Sequence, residues 1–338
     1  MSEVAEDKTI RDVTLSMDIK HRESESEISL MKNVFDKLED LNARKDTWKA
    51  TEEEARYMTR FLRDRRRKGI NLDKNTQLKL NSLNTELSEK TDKFFINLGE
   101  NTDVLALNSA SLKGVSPDFL KSLTKDAQGN YIIDPSGPHY SEIITFCDVE
   151  ETRKLLYAAW SNRGQKGHNS RLLTDLGKLR KEVASTMGFA SYVDFATDIL
   201  MAKNAATVRK FLQDLADKLR PKLMKDSQEY LKVKLQKCKE TQDVCSEQLQ
   251  MWDYSYVINC INKINYNVDN NLIREYFPLE VVQKKMFNFF SSLLGLKFQK
   301  IQQKSWSEDV TSYQVNDKKN WGTSGVLLHG LVPKRGER

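Results

Sequence analysis

Apolar residues that recur every three or four positions constrain this chain more than any other feature. Between residue 23 and about 100 the series Ile28, Met31, Phe35, Leu38, Leu41 is followed by Leu80, Leu83, Leu87, Phe94, Leu98. That spacing places one apolar stripe along each of several helices, and such stripes are stable only when they pack on one another. The spacing predicts a helical body. "TEEEARYMTRFLRDRRRKG" carries its own boundaries: Thr51 and Glu54 form a capping box and Gly69 is a left-handed stop.

A turn-rich break follows at 101–140. Within it "SPDFLKSL" predicts a short helix with Ser116 as cap and Pro117 in its first position, and "YII" a short strand. Helices then resume. "DVEETRKLLYAAWSNR" is expected to begin at a capping box of Asp148 and Glu151, and "HNSRLLTDLGKLRKEVASTMG" to end at Gly188. "NAATVRKFLQDLADKLR" is expected to stop at Pro221, which can open the next helix. The aromatic pairs Phe94/Phe95 and Phe289/Phe290 are expected in the core. Only after Gly295 do "LKFQKI" and "DVTSYQVND" change to the β-branched and aromatic texture of strands. The fold class is therefore mainly α, with a short β element after residue 295. Three segments are expected: 1–22, poorly ordered or partial; 23–295, helical, with a sub-boundary near 101–147; and 296–338, the start of a β element and a divergent tail.

Charge excludes some functions. The 54 basic and 48 acidic residues among 338 are interspersed and leave +6, so a dedicated polyanion binder is not expected and nucleic acid is not an expected partner. The run Arg60, Arg63, Arg65, Arg66, Arg67, Lys68 is either a solvated helix end that complements the helix dipole or a seat for an acidic partner or peptide. "MSEVAEDKTI" has no secretory character, and "MFNFFSSLLGL" is shorter than the ~20 residues that span a bilayer. A cytoplasmic location and no membrane partner are expected. Cys147, Cys238, Cys245 and Cys260 show no C-x-x-C spacing and are expected as free thiols.

Catalytic signatures are missing from the 338 residues. His21, His139, His168 and His329 are followed by Arg, Tyr, Asn and Gly, so no H-E-x-x-H exists and no two histidines share a helix face. G-x-S-x-G, P-loop and G-x-G-x-x-G are absent too, and no local signature marks a cysteine nucleophile.

Ten stretches, in order, carry a family resemblance: "RRKGINL" (66–72), "SPDFLKSL" (116–123), "GPHYSEIITFC" (137–147), "EETRKLL" (150–156), "MGFASYVDF" (187–195), "MAKN" (201–204), "WDYSYV" (252–257), "LIREYFPLEVV" (272–282), "LLGLKF" (293–298) and "WSEDVTSYQVND" (306–317). The sequence resembles the helical region upstream of the zinc motif in the thimet oligopeptidase and neurolysin family of zinc metallopeptidases. The resemblance implies part of a clam-like helical peptidase whose halves flank a channel for short peptides. It also implies zinc held elsewhere, by two histidines of an H-E-x-x-H helix and a glutamate on a following helix, with the motif glutamate activating the bound water. After Asp317 the pattern fades, "GLVPKRGE" being a last faint likeness, and the family's first helices have no counterpart before "VTLSMDIKH". The expectation is a truncated member, the non-catalytic helical portion of a peptide-hydrolysing metalloendopeptidase. No catalytic residue, no metal ligand and no cofactor are expected in this chain, which is predicted inactive on its own. Residues near Arg66 and in "GPHY" are candidates to line the channel, but no substrate-binding residue is assigned. The alternative expectation is a non-enzymatic helical protein that binds a peptide or partner.

Overall fold

The structure is a computed structural model, and it describes residues 7–44, 47, 49–99, 103–268, 270–303, 305, 310–318 and 323–330. The expected likenesses at 306–309 and 331–338 lie outside the described residues. The chain divides into two compact units, one of them mainly Asp7–Glu100 with Gly164–Lys218 and the other mainly Asn101–Arg163 with Leu219–Arg338.

The first unit opens with α1 (Lys8–Ser29), so residues expected to be poorly ordered or partial are helical from Lys8 on, capped by the Asp7 carboxylate on the Thr9 amide. α2 (Lys32–Ala43) and α3 (Glu52–Arg67) follow. Thr51 and Glu54 make the predicted capping box of α3, with three glutamates in its first turn and three arginines in its last, all complementing the helix dipole. The chain leaves α3 through Gly69 at φ +89°. Phe35, Leu62 and Ile70 pack where α2 and α3 meet. α4 (Lys74–Gly99) lies against a later helix of the same unit, the one that carries Leu179 and Val183, over Leu80, Leu83, Leu179 and Val183.

The second unit begins with β1 (Leu105–Leu107), a 3-10 turn at Ala110–Leu112, α5 (Pro117–Ser122) and β2 (Tyr131–Ile133), which pairs antiparallel with β1. Ser116 and Pro117 open α5 as predicted. α6 (Gly137–Phe146) and α7 (Glu150–Ser161) close a core of Leu112, Ile133, Ile143, Cys147 and Leu156. The predicted Asp148 cap of α7 does not form. Val149 is the N-cap residue, and the Asp148 carboxylate instead accepts the Tyr256 hydroxyl at 3.0 Å. The Glu150 amide at the helix start is met by Asp243, 93 residues away, at 2.8 Å.

α8 (Asn169–Thr186), stopped by Gly188 at φ +79°, and α9 (Tyr192–Thr197) return the chain to the first unit. α10 (Ala205–Thr241) then runs through Pro221 without ending there, contrary to expectation. Residues 211–225 of this helix are exposed, so water can take the carbonyl that Pro221 leaves without an amide. A 3-10 turn (Met251–Asp253), α11 (Tyr254–Tyr266), α12 (Asn270–Glu275) and α13 (Leu279–Leu294) complete the helices. β3 (Leu296–Ile301), β4 (Val310–Asp317) and β5 (Thr323–Gly330) form an antiparallel sheet in that order. Phe287 of α13 packs on it, 5.0 Å from Phe298 and 4.6 Å from Tyr313.

Two further expectations are corrected. Phe95, Phe289 and Phe290 are exposed rather than in the core; Phe95 lies one position past the half-buried Phe94, and α13, which carries the other two, buries none of its residues fully. Cys238 and Cys245 are joined in a disulfide, leaving Cys147 and Cys260 as the free thiols. Their separation of seven residues matches no familiar spacing, but the turn at the end of α10 brings the second sulfur back onto the first. The mainly α fold with short β elements is as expected.

Candidate functional site

In the first unit the basic run becomes a set of internal ties. Arg67 donates to the Phe195 carbonyl and to Asp198 at 3.3 Å, with its guanidinium 4.1 Å from the Phe195 ring centre. Arg66 pairs with Glu39, Arg65 lies over the Phe61 ring, and Lys68 donates to the Ser29 hydroxyl at 2.9 Å. Arg60, Arg66 and Lys68 are exposed, and Arg63 pairs with Asp64 at 2.7 Å. Charges already paired in this way leave little for a phosphate backbone.

Arg67, Lys68 and Asp64 edge a cavity of about 510 Å³ whose other walls include Arg22, Tyr192 and Phe195. Its volume falls in the range of small-ligand clefts, and it offers both signs of charge beside two aromatic rings. The "GPHY" residues, by contrast, serve the packing of the second unit. His139 accepts the Asp134 amide through Nδ1 at 3.1 Å and meets Phe119 edge-on, and burial pulls its pKa below the ordinary histidine value. Tyr140 stacks on Trp160 at 5.3 Å.

The second unit contains a cluster that sequence reasoning missed. Asp253, fully buried, accepts Arg153 Nη2 at 2.8 Å, Lys234 Nζ at 2.7 Å and the Gln250 amide at 3.0 Å. Lys234 also reaches Glu150 at 3.0 Å and the Gln248 carbonyl at 2.8 Å. Arg153 donates to the carbonyls of Cys147 and Asp148, and lies 4.2 Å from the Tyr256 ring centre. Burial would push the Glu150 carboxyl up, but hydrogen bonds from Lys234, Ser246 and Trp252 outweigh it and hold the group below its ordinary value. Arg153, Lys234 and Asp253 expose no surface to a substrate, so the cluster joins α7, α10 and the turn before α11 rather than performing chemistry.

Zinc does not fit the residues present. Among the described residues the one group of His, Cys, Asp or Glu donors close enough to hold an ion is Glu150, Cys238 and Cys245. Its two sulfurs are bonded to each other, and the Glu150 oxygens are taken by Lys234, Ser246 and Trp252. No histidine joins it: His21 is in α1, His139 in α6 and His168 at the cap of α8, while of His329 only the backbone, in β5, is described.

The stretches singled out in the sequence meet in these arrangements. Glu150 and Arg153 of "EETRKLL" join Trp252, Asp253 and Tyr256 of "WDYSYV"; Arg67 of "RRKGINL" holds Phe195 of "MGFASYVDF". Arg274 of "LIREYFPLEVV" reaches the buried Glu142 of "GPHYSEIITFC" at 2.9 Å. Each of these contacts lies within one of the two units. The profile of peptidase family M3 matches residues 143–335, more than half of the sequence, and the chain belongs to that family. It is similar to saccharolysin of Saccharomyces cerevisiae, 28% identical over 100% of this chain and 49% of that protein. It is also similar to the thimet-like oligopeptidase of Dictyostelium discoideum (27%, over 100% of this chain and 51% of that protein) and to oligopeptidase A of Escherichia coli (26%, over 81% and 42%). The chain spans about half the length of the curated relatives it matches. No helix among the described residues is long and apolar enough to cross a membrane.

Proposed function

We propose that these 338 residues form the helical, non-catalytic portion of a zinc-dependent metalloendopeptidase that hydrolyses short peptides, and that on their own they neither bind zinc nor cleave. The observation that carries this reading is the match to family M3 across residues 143–335 in a sequence that contains no H-E-x-x-H. In the proposal a zinc ion would polarise the scissile carbonyl and activate water, with ligands outside these residues. The chain's own contribution is to hold the peptide. The mixed-charge cavity beside Arg67, Tyr192 and Phe195 supplies donors, acceptors and aromatic surface for it. A cytoplasmic location belongs to the same proposal, although proteins named mitochondrial intermediate peptidase are also among the relatives.

The test is to incubate the purified chain with zinc and a quenched fluorescent short peptide. Turnover at the level of buffer is expected, and chelator-sensitive cleavage would overturn the reading.

A second reading, a non-enzymatic protein that binds a peptide or a partner, is favoured by apolar side chains left open around α12 and α13. Tyr276 is 83% exposed, Leu293 64% and Phe289 61%. A partner recovered with the chain in fixed stoichiometry supports it; recovery of the chain only as aggregate argues against it.

A further inference from the structure

The four cysteines fall into two classes. Cys147 and Cys260 are buried and free, and burial pushes both thiols up, Cys147 to about 11, which makes them poor nucleophiles. Cys238 and Cys245 are only half-buried, and Val244, next to the bond, is 93% exposed. Small thiols in solution can therefore reach the disulfide but not the free thiols, so exchange with Cys147 or Cys260 does not compete.

The bond closes a loop that the buried cluster depends on. Cys238 sits in the last turns of α10 and Cys245 in the segment 242–250 beyond it. That segment brings Asp243 to the Glu150 amide at 2.8 Å. It brings the Ser246 amide and hydroxyl to the Glu150 carboxylate at 3.0 and 2.9 Å, and the Gln248 carbonyl to Lys234 at 2.8 Å. Its own side chains are otherwise mostly exposed, and Leu249 alone packs against the Tyr256, Val257, Cys260 core. With so little apolar area to hold it, the loop stays down through polar contacts and the covalent tie. Lifting it would remove partners from the buried Lys234 and Glu150 together, and would let water reach a charge cluster that is otherwise dry.

We propose that Cys238 and Cys245 are a reversible thiol–disulfide couple that locks residues 242–250 over the buried Glu150, Lys234 and Asp253 cluster, and that low-molecular-weight thiols of the glutathione class open this lock. A glutathione thiolate attacks one of the two sulfurs, forming a mixed disulfide and releasing the other cysteine as thiolate. A second glutathione thiolate attacks the glutathione sulfur of the mixed disulfide and leaves as oxidised glutathione. The two glutathione protons end on Cys238 and Cys245, and the reverse sequence, driven by oxidised glutathione, restores the bond. The proposal does not rest on the peptidase reading.

The experiment uses the full chain in buffers of graded reduced to oxidised glutathione, quenched by alkylation under denaturing conditions and weighed intact. In parallel, the rate of cleavage by a glutamate-specific protease at the exposed Glu247 is followed in the folded chain. The expected result is two alkylated cysteines in oxidising buffer and four in reducing buffer, reversibly, with Glu247 cut about tenfold faster or more in the reduced form. The C238S/C245S double variant should be cut at the fast rate in both buffers. Four alkylated cysteines at every ratio, two at every ratio, or equal cleavage rates in the wild-type chain would each overturn the proposal, and none of these results requires the variant to fold.

Discussion

Asp253 holds two buried cations at once, and Lys234 in turn bridges two buried carboxylates. Removing one partner from such a group leaves charge in a site that water does not reach, which typically costs about 3–5 kcal/mol. Lys234→Met, which keeps the length of the side chain, is expected to lower unfolding stability by about that amount in urea titration; a loss within the range of a surface pair, about 1 kcal/mol or less, would show that the cluster is not a stabilising hub. The pH dependence has a definite sign. Because the folded-state pKa of Glu150 is depressed, its contribution is present above the ordinary glutamate value of about 4.3 and is lost as pH falls through the lower folded value. Thermal melts should show stability falling with acid below about pH 4.3, less steeply in Glu150→Gln. Trp252 and Asp253 stood out in the sequence as part of "WDYSYV", but Lys234 did not. A lysine within a lysine-rich helix gives no sign that it alone, of its neighbours, turns into the core.

Elements were legible where their signals are local. The Thr51–Glu54 box, the Ser116 cap with Pro117, and the glycine stops at Gly69 and Gly188 all involve residues within one turn of each other, and all form as the sequence predicts. Signals that depend on distant partners were not legible: α7 takes its cap from Asp243, and Pro221 is tolerated because its stretch of α10 is bathed in solvent. Gly114 shows the same distinction in energetic form. It sits at φ +92°, and a β-carbon there would lie 2.6 Å from the Phe146 carbonyl oxygen, a backbone atom that cannot give way. Gly114→Ala is expected to cost more than about 1 kcal/mol, read as a lower urea midpoint with unchanged slope. A midpoint equal to wild type would mean that the turn between the 3-10 segment and α5 can shift to make room.

Across the whole molecule, chain order and compact units do not coincide. The chain leaves the first unit near residue 100, returns at Gly164 and crosses again within α10. Periodicity gave the helices but not which of them pack together, because that depends on contacts between residues such as Glu150 and Ser246, 96 positions apart. The candidate site was legible to a similar degree. Arg67 stood within a singled-out basic run, yet its pairing with Phe195 needed the fold, and the Cys238–Cys245 bond ran against the expectation drawn from spacing. Family membership, by contrast, was legible from ordered stretches of sequence. The proposed function holds that these residues bind no zinc on their own. Elemental analysis of the purified, disulfide-intact chain after equilibration with zinc and exhaustive dialysis tests it most directly. The account predicts zinc at the level of the dialysis buffer; one tightly held zinc per chain would contradict it.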